Sequence, residues 1–215
     1  MQTRVSMQAR LAAALVAAAA MIVPLAGPAA ADSRPRRVAD AQPLKLDAAD
    51  QCRERYIDGH GGGFHAGRTV AAEFLYGGSN KGMLRARSYG GQGDWERAVI
   101  CRNAATGLYY LQYWFDRDQR FYFVSVEVNY AGDLNGMLRA RATSVGPWEL
   151  FFAARHPVSI EDPGNYLGVY TLRSYQNGKY VSHESGYPGD TADVLRARAD
   201  TPGEWEGFWL NLQSW

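Results

Sequence analysis

The chain has 215 residues, with 23 basic and 22 acidic side chains and a formal net charge of +1. That balance excludes an electrostatically driven nucleic-acid binder, which carries a clear basic excess. An apolar content of 47% and an aromatic content of 13% exclude low-complexity disorder.

The N-terminus opens with Arg4 and Arg10, continues through an apolar run from Leu11 to Gly27 broken by Pro24, and reaches the small residues Ala29-Ala30-Ala31. This order predicts a signal peptide over residues 1–31, cleaved between Ala31 and Asp32, and hence a secreted protein. An uncleaved membrane anchor fits less well, because the run is alanine-rich, short for a span and interrupted by proline. Loss of Arg4 and Arg10 with the peptide turns the net charge from +1 to −1. Residues 32–50 are polar, contain proline and lack aromatics, so they read as a flexible leader. In an oxidising compartment Cys52 and Cys101, the only cysteines, are expected to pair. A reactive cysteine would instead need a nearby base and an unpaired thiol.

From residue 51 onward one unit is written three times. Met83-Leu84-Arg85-Ala86-Arg87 recurs as Met137-Leu138-Arg139-Ala140-Arg141 and Val194-Leu195-Arg196-Ala197-Arg198. Each copy is preceded by a strand-like segment ending in Glu73, Glu127 or Glu184, and followed by Trp95-Glu96, Trp148-Glu149 or Trp205-Glu206. Repetition at near-constant spacing is the mark of a repeat architecture. The repeats are placed at about 51–104, 105–157 and 158–215. Aromatic and β-branched runs such as Phe121 to Val128 alternate with glycine-rich turns, so each unit reads as about four short strands. About twelve strands in three units predict an all-β chain folded as a β-trefoil, whose closed barrel removes exposed edges.

The pattern G-K-Y-V-S-x-E, then L-R-A-R-A, then G-x-W-E-x-F, which stands from Gly178 to Phe208, resembles the fascin-type (actin-crosslinking-like) β-trefoil repeat of secreted bacterial proteins. The resemblance covers about residues 51–215. It is specific in units two and three and weaker in unit one, where CRERYIDGHGGGFHAGR replaces the first strand and turn. The Q-x-W signature of ricin-type sugar-binding trefoils is absent, so no sugar contacts transfer from that family. The resemblance implies fold far more than function.

Strand alternation places Leu84, Leu138 and Leu195 with Ala86, Ala140 and Ala197 on the core face. Trp95, Trp148 and Trp205 are expected to be core anchors, with Phe151 and Phe208 beside them. The six repeated arginines then face outward or toward the barrel rim. They form either an anion-binding surface for acidic glycans or cross-strand pairs with Glu73, Glu127, Glu184 and the Trp-Glu glutamates. The charge balance favours pairing. Catalysis by these glutamates is rejected, because an acid and its partner need distinct environments in one asymmetric site. The protein is expected to be no enzyme.

The loops after the glutamate strands carry the candidate ligand site. Tyr76, Tyr130 and Tyr187 are each followed by glycine and a small polar residue: Ser79, Asp133 and Asp190. Asn80, Lys81, Asn135 and Asp193 are further candidates. An aromatic face beside a short hydrogen-bonding group suits a sugar, although the same residues also make a turn. The expected partner is an extracellular glycan or polysaccharide. A protein partner, bound through unit-unique segments such as the 109–115 strand, is the alternative. No nucleic acid, membrane, metal or other cofactor is expected; His60 and His65 lack the further ligands a zinc site needs. The surplus of aromatics between Tyr109 and Tyr122 cannot all be buried by alternation, and a monomer is expected.

Overall fold

A computed structural model describes residues 48–60, 67–89, 93–157, 168–210 and 212. The chain divides into two compact units, 1–34 and 35–215, and everything described lies in the second. The signal-peptide reading and its Ala31–Asp32 cleavage point lie outside the described residues. No described helix is long and apolar enough to cross a membrane.

Among the described residues the regular structure is β-strand joined by single 3₁₀ turns. Unit one contributes β1 (Gln51–Arg55), β2 (Asp58–Gly59), β3 (Arg68–Glu73), β4 (Met83–Tyr89) and β5 (Ala98–Arg102). Unit two contributes β6 (Tyr109–Phe115), β7 (Arg120–Glu127), β8 (Met137–Ala142) and β9 (Phe151–Arg155). Unit three contributes β10 (Val169–Ser174), β11 (Tyr180–Glu184), β12 (Val194–Ala199) and β13 (Phe208–Trp209).

Pairing closes a ring. β1 pairs β5, β5 pairs β6, β6 pairs β9, β9 pairs β10, β10 pairs β13, and β13 pairs β2. Because β1 and β2 belong to one segment, residues 51–59 complete the barrel. The remaining strands form three antiparallel hairpins, β3–β4, β7–β8 and β11–β12. Each hairpin carries a register shift at the same place, between Thr69 and Val70, Phe123 and Val124, or Tyr180 and Val181. Such a shift bends the ribbon and inclines each hairpin toward the others. The second strands meet around a pseudo-threefold axis, with Met83 opposite Arg139, Met137 opposite Arg196, and Val194 opposite Arg85. A closed barrel with three hairpins is compatible with the trefoil that the repeats predict.

The core follows strand alternation. Leu84, Leu138, Leu195, Ala86, Ala140 and Ala197 are buried in one large cluster with Phe151 and Phe208. The opposite face of the same strands puts Met83, Met137 and Val194 together in a second, fully buried cluster at the axis. The tryptophans correct the expectation. Trp95 and Trp148 are half-buried and Trp205 is 39% exposed, because each sits on a 3₁₀ turn or bend outside the strands. In units two and three the anchoring role belongs to Phe151 and Phe208, whereas in unit one Ala98 holds that place and Trp95 packs against the core from its edge.

Two backbone positions at the axis demand glycine. Gly82 (φ 76°) and Gly136 (φ 74°) accept from the next hairpin through Ala140 N→Gly82 O (2.7 Å) and Ala197 N→Gly136 O (2.7 Å). A Cβ would stand 2.4 Å from Ala140 O in the first case and 2.8 Å from Ala197 O in the second. The third copy has Asp193 in this conformation (φ 59°), accepting from Ala86 N at 2.8 Å.

Cys52 and Cys101 are bonded, directly opposite one another on β1 and β5. The end of the expected leader is also tied down: the Asp50 carboxylate accepts from Tyr110 Oη (3.0 Å), Ala104 N (2.9 Å) and Asn103 Nδ2 (3.2 Å). Asp50 belongs to the domain.

Gly82→Ala should destabilise by roughly 1–3 kcal/mol from the left-handed conformation alone, and by more from the backbone clash, read as a lowered urea midpoint. Replacing both cysteines by serine releases a 49-residue separation and should cost about 4 kcal/mol. Intact mass with and without reductant and alkylation checks the bond itself.

Candidate functional site

The first arginine of each repeat points inward, against expectation. Arg85, Arg139 and Arg196 are buried at 5%, 7% and 0% exposure. Each reaches into the loop of the neighbouring hairpin: Arg85 Nε→Ala192 O (2.8 Å), Arg139 Nε→Lys81 O (3.0 Å) and Arg196 Nε→Asp133 O (2.5 Å). Burial lowers the Arg196 pKa, against the opposing pull of Glu184. The second arginine of each repeat behaves as expected. Arg87 pairs with Glu73, Arg141 with Glu127 and Arg198 with Glu184. The hydrogen bonds to Glu73 and Glu127 hold Arg87 and Arg141 above the ordinary guanidinium value. All six are thus engaged within the fold, and the reading of an anion-binding arginine surface falls away.

Two of the Trp-Glu glutamates, Glu149 and Glu206, take backbone and serine partners in place of the arginines expected. Glu149 Oε2 accepts from Gly146 N (2.7 Å), and Glu206 Oε2 from Gly203 N (2.6 Å), so each closes its own 3₁₀ turn in the manner of a capping box. The other oxygen accepts from a serine on the glutamate strand, Ser125 for Glu149 (2.5 Å) and Ser182 for Glu206. Burial pushes the Glu149 carboxyl up, with Ser125 and the backbone donors pulling the other way. In unit one the serine is replaced by Ala71.

The predicted loop residues lie where the sequence put them, at three equivalent turns: Ser79 and Asn80 on Gly78–Asn80, Asp133 on Gly132–Leu134, and Asp190 on Gly189–Thr191. Their surroundings are partly structural. Tyr76 and Tyr130 hydroxyls accept from Arg85 Nη1 (3.1 Å) and Arg139 Nη1 (3.3 Å). The Tyr187 hydroxyl accepts from Arg198, and the Arg196 guanidinium lies 4.5 Å from its ring centroid. Asn135 Nδ2 donates to Val128 O (3.0 Å) and Tyr130 O (2.9 Å), closing its own loop. Tyr76 packs against the Met83, Met137 and Val194 cluster.

A concave site lies beside these loops. A cleft of about 390 Å³ runs between the glutamate strand and the Trp-Glu turn of unit three, lined by Ser182, Glu184, Tyr187, Trp205 and Glu206 among others. Its counterpart in unit one, about 290 Å³, is lined by Ala71, Glu73, Arg87, Trp95 and Glu96 among others. The same pair of elements therefore builds both. Of the predicted ligand residues, Tyr187 lines the larger cleft. The lining tryptophans and glutamates stand outside the expected ligand set, although they recur at nearly the same distance from each Tyr-Gly loop. The signal was misread because a large aromatic is ordinarily a core residue.

Unit three also carries a polar cluster. His183, fully buried, lies 3.4 Å from Asp193 Oδ1 through Nε2, and Arg68 Nη1 donates to Asp193 Oδ2 at 3.1 Å. The His183 ring meets Trp205 edge-on, with centroids 6.0 Å apart. His183 thus buttresses the cleft. His65 lies outside the described residues, and His60 stacks edge-on with Trp209 at 5.1 Å. Among the described residues no group of three or more His, Cys, Asp or Glu is arranged to hold a metal.

No protein-family model matches the chain, and no curated protein matches it. Solved structures do. A designed threefold-symmetric protein, ThreeFoil, is 18% identical with a TM-score of 0.50, over 73% of this chain and 96% of that one. A mosquitocidal holotoxin is 14% identical with a TM-score of 0.53, over 74% of this chain but only 17% of the toxin. The fold is trefoil-like.

Glu206→Ala removes the acceptor of both Gly203 N and Ser182, and should cost about 1–3 kcal/mol. The equivalent change at Glu149 should cost a similar amount. Thermal unfolding of the two variants, compared with Ser125→Ala and Ser182→Ala, measures the contribution of each bond.

Proposed function

We propose that the protein is a secreted, non-enzymatic carbohydrate-binding module of the fascin-like β-trefoil type, which contacts an extracellular glycan or polysaccharide through its repeated clefts. The observation that carries this reading is the larger cleft. There an exposed indole, Trp205, and the Tyr187 ring face a space bordered by Glu184, Glu206 and Ser182. A sugar presents an apolar C–H face and a rim of hydroxyls, and this combination offers stacking with fixed acceptors. The carboxylates act as acceptors held in place, Glu206 by Ser182 and Gly203 N, Glu184 by Arg196 and Arg198. The unit-one cleft, with Trp95 but Ala71 in place of serine, is the weaker copy. Two weak sites on one module give avidity on a polymer.

Export is supported by the N-terminal charge and apolar pattern and by the Cys52–Cys101 bond. Replacing all three loop tyrosines is a poor test, because Tyr76 and Tyr130 hold buried arginines. The tryptophan is cleaner. In a glycan array and in affinity electrophoresis with soluble polysaccharides, Trp205→Ala should weaken binding at least tenfold, about 1.4 kcal/mol, and Trp95→Ala less. Retarded migration that neither substitution changes would sink the assignment.

A further inference from the structure

Unit two departs from the threefold pattern at its first hairpin. In unit three the ladder of β10 with β11 consists of Arg173 opposite Tyr180, and both strands stop short of a turn. In unit two β6 and β7 stay paired as far as Phe115 opposite Arg120, through Trp114 opposite Phe121. The inward side chains of this extension are used by the core: Phe115 stacks on Phe74 at 4.5 Å, and Tyr113 is fully buried. The outward side chains are not. Trp114 and Phe121 point away from the core and meet edge to face at 5.1 Å, with Phe121 38% exposed. Asp116 Oδ1 accepts from Trp114 Nε1 at 2.5 Å, which fixes the plane of the indole.

This aromatic corner forms the wall of a separate cavity of about 210 Å³, completed by Val99, Glu54, Asp94 and Arg97. The three charged residues come from β1 and from the turn before β5, so two barrel strands and the extended hairpin converge on it. Arg97 and Asp94 are 3.9 Å apart and about half exposed, a loose pair that solvent screens. Arg97 also hydrogen-bonds Tyr56, while the Glu54 and Asp94 carboxylates stand exposed at the cavity. The cavity thus sets carboxylate acceptors and a guanidinium donor around an oriented apolar platform.

We infer that this cavity is a second saccharide subsite, on the outside of the barrel and independent of the repeated clefts. A lone cation is disfavoured because Arg97 sits in the lining. A purely apolar ligand would cover Glu54 and the Asp94–Arg97 pair without replacing the water that solvates them. A neutral sugar ring satisfies both: its C–H face lies on Trp114, while its hydroxyls donate to Glu54 and Asp94 and accept from Arg97. The volume is below the roughly 300–1,000 Å³ of a drug-sized pocket, and it suits a single ring at a chain end or branch. With the clefts it makes the module multivalent, so a polymer is held more tightly than an oligosaccharide.

The test is a titration of the secreted chain with oligosaccharides, followed by the indole N–H resonances of its tryptophans, with Trp114 assigned through Trp114→Phe. The Trp114 signal should shift on titration, including in the Trp95→Ala/Trp205→Ala background. Trp114→Ala should weaken polysaccharide binding threefold to tenfold, leaving the Trp205 shift intact. If Trp114→Ala disturbs folding, Glu54→Gln combined with Asp94→Asn, both at exposed positions, should give the same loss. A Trp205 shift with a silent Trp114 overturns the subsite and leaves the cleft reading standing. Silence at every tryptophan overturns both. A Trp114 shift caused only by a basic peptide, and not by any sugar, makes the face a protein-docking surface and overturns the inference.

Discussion

Three buried guanidinium groups hold the hairpins together. Burying an ion costs several kcal/mol unless its hydrogen bonds are replaced. Arginine can meet that demand, because its planar fork carries five donors. Each of Arg85, Arg139 and Arg196 gives its Nε–H to a carbonyl of the adjacent loop, and the cycle runs from hairpin two to one, three to two, and one to three. Backbone bonds run the same way, from Ala140 to Gly82, Ala197 to Gly136 and Ala86 to Asp193. Removing one arginine would break the side-chain bond that ties one repeat to the loop of the next. The loops that carry the Tyr-Gly motif are therefore held from behind. Their shape is a consequence of the axis.

From this constraint follows the division of labour within each repeat. The face of β4, β8 and β12 that carries Leu and Ala fills the barrel, and the face that carries Met or Val and the first arginine fills the axis. The second arginine lies at the edge and takes the strand glutamate. What remains for solvent is the groove between that glutamate strand and the Trp-Glu turn. A residue type that ordinarily fills cores is displaced there, because the turn is already closed by its own glutamate and the barrel by Phe151 and Phe208.

The threefold scaffold carries asymmetric additions. Unit one is stapled by Cys52–Cys101. Unit two has the longer β6–β7 hairpin with its outer aromatic pair. Unit three replaces the axial glycine with Asp193, which sits in a left-handed conformation and is held by Arg68 and His183. The longer hairpin lies off the shared framework, whereas Asp193 stands within it and keeps the axial bond to Ala86 N. Places off the framework are where a repeat protein acquires distinct binding surfaces.

The sequence by itself determined the repeat, the strand alternation and the pairing of Cys52 with Cys101. All three depend on local period or on composition: Leu84 and Ala86 face inward because successive side chains on a strand alternate. It also located the Tyr-Gly turns, whose residue types are dictated by backbone conformation. Which arginine of each pair is buried was a tertiary decision. Arg85 and Arg87 occupy the same strand face, and only the approach of a neighbouring hairpin, more than fifty residues away in the chain, makes one internal and leaves the other at the rim. The same holds for Trp205 and Trp114. Whether an indole is core or platform depends on what has already filled the space behind it, and that is settled only when the three units close around one axis.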